Sequence, residues 1–416
     1  MMRALFAGVS GLRSHQVRMD VIGNNIANVN TIGFKASRAT FEEAFVQVLS
    51  KAQRPDDMTG GMNPVQVGTG TNVGSIDQLF TQGSLENTGQ PLDLAIQGDG
   101  LFVLSNGQNR VFTRAGNFQL DANGRLVSPF SGYILQGVNA DENGKFNGTA
   151  AISDVEIALG AKAAAKETSL VSLTGNLDAD AEVDDTHSMG ITVYDALGTP
   201  HNLQILFTNT GPGTWSWVAT CDTAPVTPDT EGTVTFGTDG SLESFTYPGG
   251  GESITLTPPN AEPFEITLDP GTVGGFDGLS GFANASNAVV NSQDGYQAGD
   301  LVNVSVDSRG MVNGTFSNGT TRVLAQISLA SFNNPGGLIR SGDNVYEETP
   351  NSGAAILSFA GGSASSTITP GALESSNVDV SQEFSNMIVA QRGFQANARV
   401  ISTADEMLNE PVNLRR

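Results

Sequence analysis

Acid–base chemistry needs carboxylates or histidines that converge on one point, and this 416-residue chain offers few candidates. Asp93, Asp99 and Asp121 could act as proton donors and acceptors, yet no spacing places any two of them in one cleft. Turn and surface roles are their default. The three histidines, His15, His187 and His201, are too scattered to suggest a catalytic or metal-binding cluster. Cys221 is the only cysteine, so there is no intrachain disulfide framework and no thiolate metal site. Asp121–Gly124 and Asp141–Gly144 resemble the start of an EF-hand loop, but no bidentate Glu closes either, and both read as hairpin turns. No catalytic, cofactor-binding or metal site is expected.

Composition excludes further classes. Lys and Arg number 20 against 43 Asp and Glu, a formal charge of −23, and such a chain repels phosphate instead of binding nucleic acid. No apolar run approaches the roughly 18–20 residues of a spanning helix, so no membrane insertion is expected. With 38% hydrophobic residues the chain can fill two to four cores. The two ends are net basic, and from Glu167 through Ser308 there is no Lys or Arg at all. That block reads as a solvated acidic surface, with a Ca²⁺-coated surface as the alternative.

Whatever these residues do must be positioned by the elements around them, and the two ends share one period. Leu5, Leu12, Met19 and Ile26 recur every seven residues, with Val9 and Gln16 between them. Val380, Met387, Phe394, Ile401 and Leu408 do the same, with Phe384, Gln391 and Ala398 at the alternate positions. Each set forms an a/d seam on a helix, roughly 30 and 40 Å long at ~1.5 Å per residue. Each seam offers the other a partner, although ordinary packing inside one globule would give the same stripe. Gly8, Gly11 and Gly23 weaken the first helix, which should be ordered only when packed. The apolar run at 4–12 is short, glycine-interrupted and followed by Arg13, Arg18 and Asp20, which does not fit a cleavable signal peptide.

Between the ends, short apolar or alternating runs such as Leu101–Leu104, Leu203–Phe207 and Phe264–Leu268 are separated by Asn-Gly and Asp-Gly dipeptides, including Asn123-Gly124, Asp239-Gly240, Asn313-Gly314 and Asn318-Gly319. The pattern predicts antiparallel β domains. Residues 50–90 and 361–377 read as linkers, and a Gly-rich bridge occupies 271–282. The fold class expected is α+β, mostly β. Paired terminal helices form a coiled coil (1–40 and 375–416), followed by an extended linker (41–90). An inner β domain (91–160 and 285–374) carries an inserted outer β domain (161–284), the two being nested.

Residues 19–38, MDVIGNNIANVNTIGFKASR, closely resemble the N-terminal signature of bacterial flagellar rod and hook proteins. The matching positions include Asn24, Asn25, Asn28, Thr31, Gly33, Phe34 and Lys35. LDLAIQGDGLF (92–102), FTRAGNF (112–118), ASFNNPGGL (330–338), Asn377-Val-Asp-Val and IVAQRGFQAN (388–397) are similar to the same family. The resemblance implies a subunit of an axial filament that polymerises with itself, its terminal helices lining a tube. It implies export through the flagellar apparatus without a cleaved signal, to the extracellular flagellum. It also implies rod, hook-cap and hook–filament junction proteins as partners. The inserted acidic domain fits a hook subunit, a flexible universal joint, while the stretch at 50–75 resembles that of a distal rod subunit. A secreted β-rich adhesin is the competing class. Independently of the family, the three asparagines can cap and turn a helix end, or form a solvated loop. Gly33 suits a positive φ that lets Phe34 fold back as an anchor.

Overall fold

The structure, a computed structural model, describes residues 2–413 apart from 56–59, 142–143, 147–150, 159, 161, 229–230 and 363–365. The Asp141–Gly144 turn lies partly outside the described residues. The chain divides into two compact units. The first comprises 1–158, 304–314 and 322–416; the second comprises 159–303 and 315–321.

Two helices dominate the first unit, α1 (Met2–Ala27) and α2 (Val380–Asn413). Both are longer than the heptads alone require. Asp379 caps α2: its Oδ1 accepts the N–H groups of Ser381 (2.8 Å) and Gln382 (3.1 Å), which would otherwise be orphaned at the helix start. The helices pack antiparallel, since Gly8 meets Ile401, Gly11 meets Asn397 and His15 meets Gly393.

The stretch expected to be an extended linker is instead a long hairpin. Strand β1 (Ser37–Glu43) pairs antiparallel with β4 (Thr71–Gln78), with a bulge at Thr40/Phe41. Beyond it, β2 (Val46–Ser50) pairs with β3 (Val65–Gly68). Weak periodicity concealed it, because a two-stranded ribbon with little burial on either face imposes no alternation. The Gly/Ser-rich stretch at 361–377 is likewise ordered over much of its length. Thr367–Pro370 pairs with Leu94–Gln97, and Ala372–Glu374 with Leu85–Asn87. The β core of this unit gathers Leu101, Val103, Phe112, Ala330, Leu338 and Tyr346.

The second unit has two sheets over one core that includes Phe207, Trp215, Trp217, Leu256 and Ile266. One sheet is antiparallel throughout, in the order Thr186–Tyr194, Pro200–Gly211, Thr214–Cys221, Gly232–Phe236, Leu242–Thr246. Along Pro200–Gly211, His201, Leu203, Ile205, Phe207 and Asn209 are buried in strict alternation, as a half-buried strand demands. The other sheet departs from the antiparallel expectation, because Leu170–Asn176 runs parallel to both Phe264–Asp269 and Leu279–Ser280. Its antiparallel partner, Val289–Gln293, lies past residue 284, so this unit runs on to Asn303. Asp294 ties the same edge, accepting the N–H groups of Ser169 (2.8 Å) and Leu170 (2.9 Å). Asn313-Gly314, expected to be a turn, sits inside the strand Met311–Phe316.

Candidate assembly interface

Small residues bring the helices together. A Cβ on Gly11 would lie 2.7 Å from Asn397 Nδ2, and one on Gly393 would lie 2.5 Å from the His15 ring. On α1 the buried positions are Gly8, Gly11, Ser14, Ile22 and Asn25. The predicted seam of Leu5, Leu12, Met19 and Ile26 flanks them, half-buried, while Val9 and Gln16 are exposed. On α2, Met387, Phe394 and Ile401 are half-buried, whereas Val380, Phe384, Gln391, Ala398 and Leu408 are exposed. Ala390 and Ala404 are the buried alternates, with Asn397 between them. The face where the helices meet is thus one residue away from the expected a/d stripe on α1, and its alternate series differs on α2. The physical reason is close approach. Glycine and alanine let two backbones come near, and apolar periodicity gives such residues no weight.

The signature segment closes α1 and turns the chain into β1. Asn25, buried, donates from Nδ2 to the Ser37 carbonyl (2.8 Å) and accepts the Ser37 N–H at Oδ1 (2.9 Å), as one more strand residue would. Asn28 Nδ2 donates to the Asn24 carbonyl (2.9 Å), and Asn28 Oδ1 accepts the Thr31 hydroxyl (3.1 Å). Asn24 itself is exposed. Gly33 has φ +66°, and a Cβ there would lie 2.7 Å from the backbone of Arg114 and Ala115. Phe34 is buried beneath the Arg340 guanidinium, which stands 4.6 Å from the ring centroid.

Beneath this turn lies an ionic clasp. Lys35, 1% exposed, donates from Nζ to Glu374 Oε1 (2.7 Å) and to the Thr81 carbonyl (2.8 Å). Glu374, also 1% exposed, accepts Gly83 N–H at Oε1 (2.8 Å) and Arg114 Nε at Oε2. Through Nη1 and Nη2 the Arg114 guanidinium also donates to the carbonyls of Ile96, Gly98 and Gly100. Burial pulls the Lys35 ammonium below its ordinary range: desolvation, with the repulsion of Arg114 added, outweighs the attraction of Glu374 and Asp99. Burial alone would raise the Glu374 carboxyl; facing two cations, it is held below the usual range instead. Asn377 adds a second tie between the ends, accepting Ala36 N–H (2.8 Å) and donating to the Leu79 carbonyl (2.8 Å).

Glu374, Arg114 and Asn377 were not singled out from sequence. Arg114 and Asn377 stand inside stretches quoted for the family resemblance, so a signal was present. Glu374 sits in a stretch whose composition reads as linker, and nothing local marks it.

Four family models match the chain: a flagella basal body rod protein model over 5–35, a flagellar hook protein FlgE/F/G D1 domain over 95–204, a flagellar basal body protein FlaE D2 domain over 159–296, and a flagellar basal body rod FlgEFG protein C-terminal model over 369–414. The flagellar hook protein FlgE of Treponema pallidum is 40% identical over 100% of both chains. That of Salmonella typhimurium is 38% identical over 98% of each. The flagellar basal-body rod protein FlgG of Bacillus subtilis is 29% identical over the whole of both. The crystal structure of Helicobacter pylori flagellar hook protein FlgE2 aligns with a TM-score of 0.50 at 17% identity, covering 68% of this chain and 98% of that one, a likeness of fold. Terminal segments tied by a buried clasp and similarity at this level along the full chain lead to one assignment: the chain belongs to the flagellar hook protein FlgE family.

Proposed function

We propose that the chain is the structural subunit of a flagellar hook, polymerising into a hollow, flexible tube that passes torque from rod to filament. The observation that carries this reading is apolar surface the chain leaves uncovered on its terminal elements. Met2 and Phe6 on α1 are exposed, as are Phe384, Ile388, Val389 and Met407 on α2, and Phe45 in the long hairpin is 87% exposed. Surface of that kind on one helix pair and one ribbon marks contact with other molecules. In a tube of identical subunits, each copy would cover its neighbours.

On this reading α1 and α2 form a coiled-coil stalk lining the channel. Leu5, Val9, Leu12, Met19, Ile26, Val380, Phe384 and Leu408, flanking or outside the face where the helices meet, contact neighbouring stalks. The β core of the first unit forms an inner layer, and the second unit, inserted into it, an outer one. The rod below, the cap during growth and the junction proteins above are the partners, after export through the flagellar apparatus to the cell exterior. A distal rod subunit is the second reading, favoured by the long hairpin at 37–78. Identity of 40% and 38% to the hook proteins of Treponema pallidum and Salmonella typhimurium, against 29% to the rod protein of Bacillus subtilis, supports the hook.

The test is electron microscopy of the assembled protein, with and without the last ~35 residues, which carry the α2 seam. Curved hollow tubes from the full chain, and none from the truncated one, are expected. Straight, unbending tubes would make it a rod subunit, and polymers that form without α2 would overturn the stalk.

A further inference from the structure

Four Asn-Gly pairs stand among the described residues, Asn106-Gly107, Asn123-Gly124, Asn313-Gly314 and Asn318-Gly319, and the first has surroundings unlike the rest. It joins the strands Leu101–Ser105 and Arg110–Thr113, and residues 106–109 are all exposed. Asn106 Oδ1 accepts two backbone N–H groups, from Gln108 (3.0 Å) and Asn109 (2.7 Å). Its Nδ2 donates to no described residue. The Gly107 N–H donates to the Ser105 hydroxyl (3.0 Å), and a Cβ on Gly107 would meet no atom within 4 Å. The other three pairs are guarded. Gly124 is buried, and its N–H donates to the Asp121 carbonyl (3.0 Å). Gly314 is buried inside the strand Met311–Phe316. Gly319 N–H donates to the Phe316 carbonyl (3.0 Å). The Asn318 amide is held at both ends: Nδ2 donates to the Gln297 carbonyl (2.9 Å), and Oδ1 accepts the Thr320 N–H (3.1 Å) and hydroxyl (2.7 Å).

We infer that Asn106 is a site of self-modification, at which the folded chain deamidates through a cyclic imide formed with Gly107. The co-reactant is water. The Gly107 nitrogen gives its proton to solvent base and bonds to Asn106 Cγ. The Cγ–Nδ2 bond then breaks and ammonia leaves. Water opens the resulting succinimide at either carbonyl, to aspartate or to isoaspartate. One water is consumed and one ammonia released, and nothing is oxidised or reduced. Each step is eased by what surrounds this pair. Negative charge develops on Oδ1 as the new bond forms, and the two N–H groups aimed at that oxygen stabilise it as an oxyanion hole does. The departing Nδ2 breaks no bond to the protein. The attacking nitrogen surrenders a bond to a hydroxyl that rotates, whereas Gly124 and Gly319 would each lose a backbone turn bond. The product adds a negative charge, and isoaspartate lengthens the main chain by one carbon in a hairpin whose Val103 and Phe112 belong to the core. The inference is independent of the hook reading.

The test uses the full chain, held folded at mildly alkaline pH and, in parallel, unfolded in guanidinium chloride at the same pH. Chymotryptic peptides are followed by mass for the replacement of NH2 by OH, and electron-transfer fragmentation separates aspartate from isoaspartate. In the folded chain Asn106 should convert at least about tenfold faster than Asn123, Asn313 or Asn318 and give both isomers. In denaturant the four rates should converge, since the sequence pair is then the same at each. Asn106→Gln, which would have to close a larger ring, should keep the fold by circular dichroism and lose the acidic species that the unmodified chain accumulates. Conversion of Asn106 no faster than that of Asn318 in the folded chain would overturn the inference. So would a product of aspartate alone, the mark of direct hydrolysis without the imide, or an acidic species that persists in Asn106→Gln at the original rate.

Discussion

Replacing Glu374 by Gln keeps the shape of the side chain and removes the one anion shared by two buried cations. In the folded chain the glutamine amide keeps one acceptor oxygen, which can serve Lys35 or Arg114 but not both, while its NH2 group faces the other cation, and neither cation keeps a counter-charge. Breaking a buried ion pair from one side costs about 3–5 kcal/mol, because the remaining charge stays dehydrated without its partner. Against a typical total of about 5–15 kcal/mol, that is enough to unfold a marginal unit. The assay can separate the two units, since both tryptophans, Trp215 and Trp217, lie in the core of the second. In urea, Glu374→Gln should lower the transition seen by circular dichroism and leave the tryptophan fluorescence transition unmoved. The second half of the prediction is one of sign. Once Glu374 is neutral, the further change Lys35→Met removes an uncompensated ammonium and should restore stability, although the same change alone is destabilising. A loss below about 1 kcal/mol for Glu374→Gln would refute the reasoning, as would simple additivity in the double variant. The carboxyl is held below its ordinary 4.5, so its contribution is complete above that value and disappears as the pH falls through the lower folded one.

Gly33→Ala should cost about 1–3 kcal/mol, because it combines a positive φ with a clash against backbone that cannot rotate away; an unchanged urea midpoint of the first unit would contradict this. His15 wedges between α1, Gly393 of α2 and the Phe41 ring of β1, its Nδ1 buried without a hydrogen-bond partner, and burial followed by the nearby Arg18 lowers its pKa below 6.5. The unfolded chain then binds the proton more readily, so helix-pair stability should be full above about pH 6.5 and fall as the pH drops below it. Amide exchange of α1 between pH 7 and 5 measures this, and a His15→Gln variant should lose the dependence.

Much of the fold is legible residue by residue. The apolar run Leu203–Phe207 is a strand as expected, and the glycines after Asn123, Asp239 and Asn318 take up positive φ. The outer part of the long hairpin, 46–68, is not legible, because with both faces open neither constrains the sequence. Asn313-Gly314 shows the reverse failure, a turn signal overruled by neighbouring strands.

Sequence by itself determined that both ends are helical and that much of the chain between them is β, since a repeat of three and four residues, or of two, is a property of one segment's own side chains. Only the tertiary structure decided which faces meet. Gly8, Gly11 and Gly393 make the helix contact by being small, and smallness becomes an interaction only when another backbone arrives. Likewise Lys35 is buried because Glu374, 339 residues away, comes to it together with Arg114. A charge can leave water only where its partners converge, and convergence across that distance is written in no local pattern.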